Sequence, residues 1–273
     1  MVELLGIMQG RLTSKGGFFP QQFPWGNWEN EFAACKALDV HFMEWMFNFE
    51  HYDQNPVFTS AGREKIVRLS EIGDVHVRSI CANYFMERSI FEGNDSLFIL
   101  EELMAIADDL NVVNIVLPFF GASEVGDDDL VEMKTLLKLI VDRTKKFKVQ
   151  LALETNLSMD AISLCLDGIS PNIGVCYDTG NAIEFGRDVV SDISKHRKII
   201  KEIHIKDKSV NVAEAGGGSL SVMLGKGQAP LKELFSLDIG TMYFVLESYF
   251  GKDAIGDTTK NISYVRDLMG KRD

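Results

Sequence analysis

Four side chains with metal-binding chemistry stand at or near the ends of four successive apolar runs in the second half of the chain. They are Glu154, Asp178, His204 and Glu247. Three carboxylates and a single imidazole are mainly hard oxygen donors, which suit an octahedral metal with room for substrate oxygens. A zinc site more often contains additional His or Cys. These residue types predict one divalent metal, with Mn²⁺ or Mg²⁺ favoured and Co²⁺ or Zn²⁺ as alternatives.

Each of these residues has a simpler interpretation when it is taken alone. An Asp or Glu at the end of a strand often anchors the following loop by accepting hydrogen bonds from backbone amides. The metal interpretation is preferred because four consecutive strands would each deliver a ligand toward one face.

The runs that carry these side chains belong to a series of eight short apolar segments. They are Leu4–Met8, His41–Trp45, Val75–Cys81, Val112–Leu117, Val149–Glu154, Ile173–Asp178, Glu202–Lys206 and Met242–Glu247. Each is rich in β-branched or aromatic residues and continuously apolar, which is typical of parallel strands buried on both faces. Segments with helical periodicity separate them, as at Trp28–Leu38, Ser96–Leu110 and Leu130–Phe147.

This alternation predicts an α/β fold, a single (β/α)₈ TIM barrel over residues 1–273. A doubly wound sheet is the alternative, but eight successive units without a second domain favour closure into a barrel. In such a barrel the catalytic groups lie where strands end and βα loops begin, which places the four metal ligands at one mouth. Gly216–Gly218, after the seventh run, predicts a flexible active-site loop.

Composition and charge limit the classes of partner. The chain has 46% apolar and 25% charged residues, as expected of a folded globular protein. Its net charge of -12 disfavours binding to nucleic acid. No apolar run is long enough to span a membrane, and the N-terminal residues lack the features of a signal peptide. Four scattered cysteines predict free thiols in a reducing, cytoplasmic environment. Association into homo-oligomers is left open.

Short motifs around the candidate ligands carry a resemblance to a known family. They are LALETN with Glu154, VCYDTGN with Asp178, EIHIKD with His204, LGKG at 224–227 and FVLES with Glu247, together with the opening LGIMQGRL and the stretch PWGNWENEF. In their order and spacing along nearly the whole chain, they resemble the xylose-isomerase-like TIM-barrel superfamily. The resemblance is greatest to its sugar phosphate isomerase/epimerase branch, which includes the ketose 3-epimerases.

The resemblance implies roles for the four ligands. Glu154 and Glu247 would bind the metal and also exchange protons with the substrate, while Asp178 and His204 would complete the ligand set. Two carboxylates on opposite faces of a metal-stabilised enediolate allow a proton to leave from one side and return from the other. One departure follows the aspartate of the sixth run: several family members carry a substrate-binding His shortly after it, whereas this segment is Asp178-Thr179-Gly180-Asn181. Asn181 could donate a hydrogen bond to a sugar hydroxyl but cannot titrate.

Other polar residues near the strand ends are candidates for contact with substrate hydroxyls. They are Glu44, Asn83, Asn181, Lys206 and Arg11. In the seventh run, Glu202, His204 and Lys206 alternate with apolar residues and therefore share one side of the strand.

A glycine-containing segment suggests a phosphate site. Gly225, Lys226 and Gly227 precede a predicted helix at Pro230–Phe235. Glycines before a helix N-terminus expose backbone amides that can bind phosphate, and the last βα loops of TIM barrels often do so. The alternative is a tight turn with a solvated lysine. The substrate is therefore left open between a free sugar and a sugar phosphate.

These observations predict a divalent-metal-dependent isomerase or epimerase of a small sugar or sugar phosphate. A dehydratase or lyase on the same scaffold, of the inosose or dehydroshikimate dehydratase kind, is the alternative because it begins with the same proton abstraction. A non-catalytic sugar-binding barrel is a further alternative. A DNA-repair endonuclease of the same superfamily is disfavoured, because an acidic chain with five histidines is poorly suited to a multi-zinc cluster.

Overall fold

Eight parallel strands close into a barrel in the computed structural model, which describes residues 4–13, 21–211 and 218–270. The barrel strands are β1 (Leu5–Met8), β2 (Phe42–Met46), β3 (His76–Cys81), β4 (Asn114–Phe119), β5 (Gln150–Thr155), β6 (Ile173–Asp178), β7 (Ile200–Ile205) and β10 (Tyr243–Leu246). Their order around the barrel is β1-β10-β7-β6-β5-β4-β3-β2. The prediction of a TIM barrel is confirmed, and each strand overlaps one of the eight predicted runs.

Helices connect consecutive barrel strands and form the outer layer. They are α1 (Trp28–Ala37), α2 (Ser60–Gly73), α3 (Tyr84–Glu87), α4 (Asn94–Asp109), α5 (Leu130–Thr144), α6 (Met159–Leu166), α7 (Thr179–Glu184), α8 (Val189–His196), α9 (Leu231–Ser236) and α10 (Ala254–Met269), with short 3₁₀ turns at Tyr52–Gln54, Gly121–Ser123 and Asp127–Asp129. No helix in the described ranges is long and apolar enough to cross a membrane.

Apolar periodicity explains how the helices pack on the barrel. In α4, Leu97, Leu100 and Leu103 form part of one buried stripe, as a spacing of three residues on a helix requires. The strands are buried on both faces, and every residue of β4 and β6 is buried. The core therefore consists of the barrel interior and the layer between strands and helices.

A small antiparallel hairpin, separate from the barrel sheet, follows β7. It consists of β8 (Asp207–Val210) and β9 (Ser219–Val222), with Asp207 opposite Val222 and Val210 opposite Ser219. The sequence predicted a flexible loop here, without a hairpin. Gly216 and Gly217 of that predicted loop lie outside the described residues.

Candidate metal centre and active-site cleft

The four predicted metal ligands meet at the carboxyl ends of four neighbouring strands. One ligand atom from each of Glu154, Asp178, His204 and Glu247 lies within 4.8 Å of the others. All four side chains are buried. Strand register explains the meeting, because His204 is paired with Asp178 on one side and with Val245, two residues before Glu247, on the other.

The two carboxylate oxygens of Asp178 have different surroundings. Its Oδ1 accepts a hydrogen bond of 2.8 Å from the backbone N–H of Asn181 and so caps the N-terminus of α7. Its Oδ2 is buried without a hydrogen-bond partner and lies 3.6 Å from Nζ of Lys206. The loop-anchor interpretation therefore accounts for one oxygen, and the other is available to a cation.

Glu247 is surrounded by donors. Its Oε2 lies 3.0 Å from Nδ1 of His204, and its Oε1 accepts a hydrogen bond of 2.7 Å from Lys206 and another from Gln21. The guanidinium of Arg11 lies 3.6 Å from the same Oε1. Burial opposes ionisation, but the charge of Lys206 and the contact with His204 outweigh it and hold the pKa of Glu247 well below its usual range.

Glu154 has a contrasting environment. Its Oε1 accepts a hydrogen bond of 3.1 Å from Nδ2 of Asn181. Burial raises the pKa of Glu154 to about 8; the charge of His204 opposes this rise, and the charges of Glu247 and Asp178 add to it. In the metal-free site the pKa of Glu154 is therefore raised, whereas that of Glu247 is lowered.

The donor set fits a hard divalent cation. Three carboxylates and one imidazole provide mostly oxygen ligands, and Oδ2 of Asp178 is buried without a hydrogen-bond partner. A bound cation would also offset the repulsion between three buried carboxylates, which favours binding further.

Glu44 contacts the imidazole of His204 from the barrel interior. It is fully buried inside the barrel, where its Oε1 is 3.1 Å from Nε2 of His204 and its Oε2 accepts a hydrogen bond of 2.8 Å from Ser79. The imidazole separates Glu44 from Glu247, which contacts the opposite ring nitrogen. Glu44 does not line either part of the cleft described below, and its predicted contact with a substrate hydroxyl stays a prediction.

A cleft opens beside the cluster. Its inner part has a volume of about 310 Å³ and is lined by both glutamates, Glu154 and Glu247, and by Asn83, Asn181 and Lys206. An adjoining outer part of about 920 Å³ is lined by residues that include Arg11, Gln21 and the stretch 248–252. The other four candidate substrate contacts, Arg11, Asn83, Asn181 and Lys206, therefore all line the cleft. Its size is typical of a small-molecule site.

The predicted phosphate loop already binds a carboxylate of the protein. The backbone N–H groups of Gly225, Gly227 and Ala229 each donate a 2.9 Å hydrogen bond to the buried side chain of Asp207. A Cβ at Gly227 would lie 2.2 Å from Oδ1 of Asp207, which explains the glycine. Lys226 is exposed at this turn. The amides that the phosphate hypothesis required are thus occupied, and the tight-turn alternative describes the segment.

Two contributors to the site were missed in the sequence. Thr179 links the ends of β6 and β7, since its hydroxyl donates to the backbone carbonyl of Lys206 at 2.6 Å and accepts from its N–H at 2.9 Å. Glu202 lies inside the barrel, 3.5 Å from Nε2 of His204. The alternation of Glu202 and His204 in the seventh run was a usable signal for the second contact.

The fold and the cluster define a (β/α)₈ barrel with a candidate metal centre at the carboxyl ends of its strands. Residues 32–266 match the model of the xylose isomerase-like TIM barrel family, and the chain belongs to this family. The resemblance seen in the sequence motifs is thereby confirmed. No curated protein matches the chain.

Solved structures share the fold at low sequence identity. The IolI protein with a bound zinc atom is 16% identical, with a TM-score of 0.74 over 98% of this chain and 99% of that one. A sugar phosphate isomerase/epimerase from Parabacteroides distasonis is 14% identical, with a TM-score of 0.70 over 98% and 96%. D-psicose 3-epimerase from Clostridium cellulolyticum is 12% identical, with a TM-score of 0.70 over 97% and 99%. At these identities the comparison establishes the fold.

Proposed function

We propose that this protein is a divalent-metal-dependent isomerase or epimerase of a small sugar, which acts by proton transfer next to a carbonyl group. The observation that carries the proposal is the pair Glu154 and Glu247. Both glutamates line the inner cleft, and both belong to the candidate metal cluster, so that two carboxylates lie beside the space that a substrate would occupy. This is the arrangement that reversible proton transfer requires.

Glu154, Asp178, His204 and Glu247 would hold the metal, with Mn²⁺ or Mg²⁺ favoured by the oxygen-rich donor set. When bound, the cation supplies Lewis-acid stabilisation of the negative charge that develops on the substrate's carbonyl oxygen. This stabilisation is needed because a proton next to a ketone is too weakly acidic for a carboxylate alone to remove quickly.

The two glutamates divide the proton transfer. Glu247, held as an anion by Lys206 and its other donors, accepts a proton from the substrate carbon. Glu154 delivers a proton from its own side, which gives an epimer if the proton returns to the same carbon and an isomer if it returns to the adjacent carbon. In the reverse reaction the two groups exchange roles.

The substrate in this proposal is a free sugar. The loop expected to bind phosphate donates its amides to Asp207. The inner cleft instead presents the carboxamides of Asn83, Asn156 and Asn181, which suit hydroxyl groups, and the ammonium of its Lys206 is paired with Glu247. These features favour an uncharged polyol over a phosphate ester.

Deuterium exchange tests the proposal. Protein stripped of metal and reloaded with Mn²⁺ or Mg²⁺ is incubated in D₂O with a panel of free and phosphorylated ketoses. Solvent deuterium incorporated into the substrate is measured by mass spectrometry, and NMR of the recovered sugar locates the labelled carbon. We expect metal-dependent uptake at a carbon beside the carbonyl, lost in both Glu154→Gln and Glu247→Gln.

Glu101→Gln is the matched control. Glu101 lies on the outer helix α4, pairs with Lys146 and lines neither part of the cleft. It should retain exchange. An unsaturated, dehydrated product would replace the isomerase proposal with the dehydratase alternative. Metal binding without exchange across the panel would contradict the proposal and favour a binding protein.

A further inference from the structure

The imidazole of His204 contacts carboxylates through both of its ring nitrogens. Nδ1 faces the metal cluster and lies 3.0 Å from Oε2 of Glu247. Nε2 points into the barrel, where Oε1 and Oε2 of Glu44 lie at 3.1 and 3.4 Å and Oε1 of Glu202 lies at 3.5 Å. The ring is completely buried. Its orientation is therefore decided by side chains on both the cleft side and the interior side.

A second layer of hydrogen bonds fixes the two interior carboxylates. Ser79 on β3 donates a 2.8 Å hydrogen bond to Glu44, and Nδ2 of Asn114 on β4 donates a 2.8 Å hydrogen bond to Glu202. Each of these four residues has a relative exposure of 1% or less. The network spans β2, β3, β4 and β7, and no bulk solvent is present to reorient it.

Such a network is costly for a barrel interior. Burying a carboxylate is unfavourable unless it is paired and hydrogen-bonded, and apolar side chains of similar volume often give equal or greater stability. Oε1 of Glu44 and Oε1 of Glu202 have no well-formed hydrogen bond. Two glutamates beside one ring nitrogen therefore indicate a functional requirement in addition to packing.

That requirement follows from the chemistry of imidazole as a ligand. A histidine that binds a metal through one nitrogen carries hydrogen on the other, and a carboxylate that accepts this hydrogen fixes the ring and increases its basicity. Here the acceptors lie at Nε2, which leaves Nδ1 to face Glu247, a member of the candidate metal cluster.

We propose that Glu44 and Glu202 are positioning residues, which hold the hydrogen of His204 on Nε2 and present Nδ1 to the metal. The proposal rests on the metal site of the proposed function and is independent of the identity of the sugar. In this proposal the metal site includes the four strand-end residues and also the side chains of Glu44 and Glu202, which continue from the cleft into the barrel interior.

Cobalt binding provides the first test. The variants Glu44→Gln and Glu202→Gln keep the size of each side chain but weaken its ability to accept hydrogen from Nε2. We expect the dissociation constant for Co²⁺, measured by isothermal titration calorimetry, to rise roughly 10- to 100-fold in each. The visible absorption of bound Co²⁺ should also change as the ring loses its fixed orientation.

Glu31→Gln is the control for burying an amide in place of a carboxylate. Glu31 is also buried, but it accepts hydrogen bonds from Gly10, Leu12 and Thr13, away from His204. It should leave the Co²⁺ spectrum unchanged. Ser79→Ala removes only the hydroxyl that supports Glu44, so it should remain folded and weaken Co²⁺ binding in the same direction by a smaller factor.

The coordinating nitrogen is tested directly by ¹⁵N NMR of histidine-labelled protein loaded with Zn²⁺, in which five histidines are to be assigned. We expect Nδ1 of His204 to show the shift of a metal-bound nitrogen and Nε2 to retain its hydrogen. Coordination through Nε2, or unchanged Co²⁺ affinity and spectrum in folded Glu44→Gln and Glu202→Gln, would overturn the positioning role. Failure of the unaltered protein to bind any cation would instead refute the metal site on which the proposed function stands.

Discussion

Replacement of Asp207 by Asn should destabilise the protein strongly, although the change removes one charge and alters hardly any volume. Oδ2 of Asp207 accepts the N–H groups of Gly225 and Gly227, and Oδ1 accepts that of Ala229, all at 2.9 Å. An Asn side chain has only one oxygen. Whichever way it is oriented, at least one backbone N–H loses its acceptor and faces an NH₂ group instead.

The magnitude follows from these three bonds. A donor left without a partner costs about 1–3 kcal/mol, and each remaining bond loses about 1 kcal/mol when its acceptor becomes neutral. With one donor lost and two bonds weakened, the sum is roughly 3–5 kcal/mol, which for a chain of this size corresponds to a fall in Tm of roughly 6–20 °C. The loop at 225–229 should also become the first segment to exchange its amide hydrogens.

Differential scanning calorimetry and urea unfolding measure the effect, with Lys226→Ala as control. That substitution lies in the same turn, removes an exposed side chain and keeps every amide bond to Asp207. Its free energy of unfolding should stay within about 0.5 kcal/mol of the original. Equal stability of Asp207→Asn and the unaltered protein would refute the assignment of these amides to Asp207 and would reopen the segment as a phosphate site.

Three further predictions concern glycine packing, strand linkage and pH. Gly227→Ala should lower Tm by several degrees, because the new Cβ would lie 2.2 Å from a carboxylate oxygen of Asp207. Gly26→Ala is the control and should leave Tm unchanged, since a Cβ at Gly26 would have no atom within 4 Å. Thr179→Val removes the hydroxyl that links the ends of β6 and β7. We expect the free energy of unfolding, measured with urea, to fall by about 1–3 kcal/mol and Mn²⁺ to bind more weakly. Unchanged values for both would contradict this role of Thr179. Burial raises the pKa of Glu31 to about 7 and that of Glu154 to about 8, so the folded state binds more protons than the unfolded state above pH 4.5. The metal-free protein should therefore lose stability as the pH rises from about 5 to about 8, and a flat or rising urea-unfolding profile would contradict these shifts.

The sequence alone determined the barrel and the meeting of the four candidate metal ligands. Parallel strands buried on both faces produce continuous apolar runs, and eight such runs separated by helical segments leave few architectures. Because parallel strands end at the same mouth, Glu154, Asp178 and Glu247 could be placed together from their positions at run ends. The short motifs around them added the family, which the match over residues 32–266 confirms.

The depth of a side chain in the barrel was decided only by the tertiary structure. Glu44 and Glu247 both follow apolar residues in the sequence, but β2 continues to Met46, so Glu44 lies within its strand, whereas β10 ends at Leu246, one residue before Glu247. A difference of a few residues in where a strand ends therefore separates an interior side chain from one at the cleft. Local apolar pattern does not set that boundary, because neighbouring strands and the barrel's stagger do.

Contacts between distant residues were likewise invisible in the sequence. No neighbour in the sequence indicates an acceptor for the amides of Gly225 and Gly227. The carboxylate that accepts their hydrogen bonds belongs to Asp207, which lies 18 and 20 residues earlier. Asn114 and Glu202 are separated by 88 residues and meet only because the barrel closes. The sequence shows which residues have suitable chemistry. The closed barrel decides which partner each of them hydrogen-bonds.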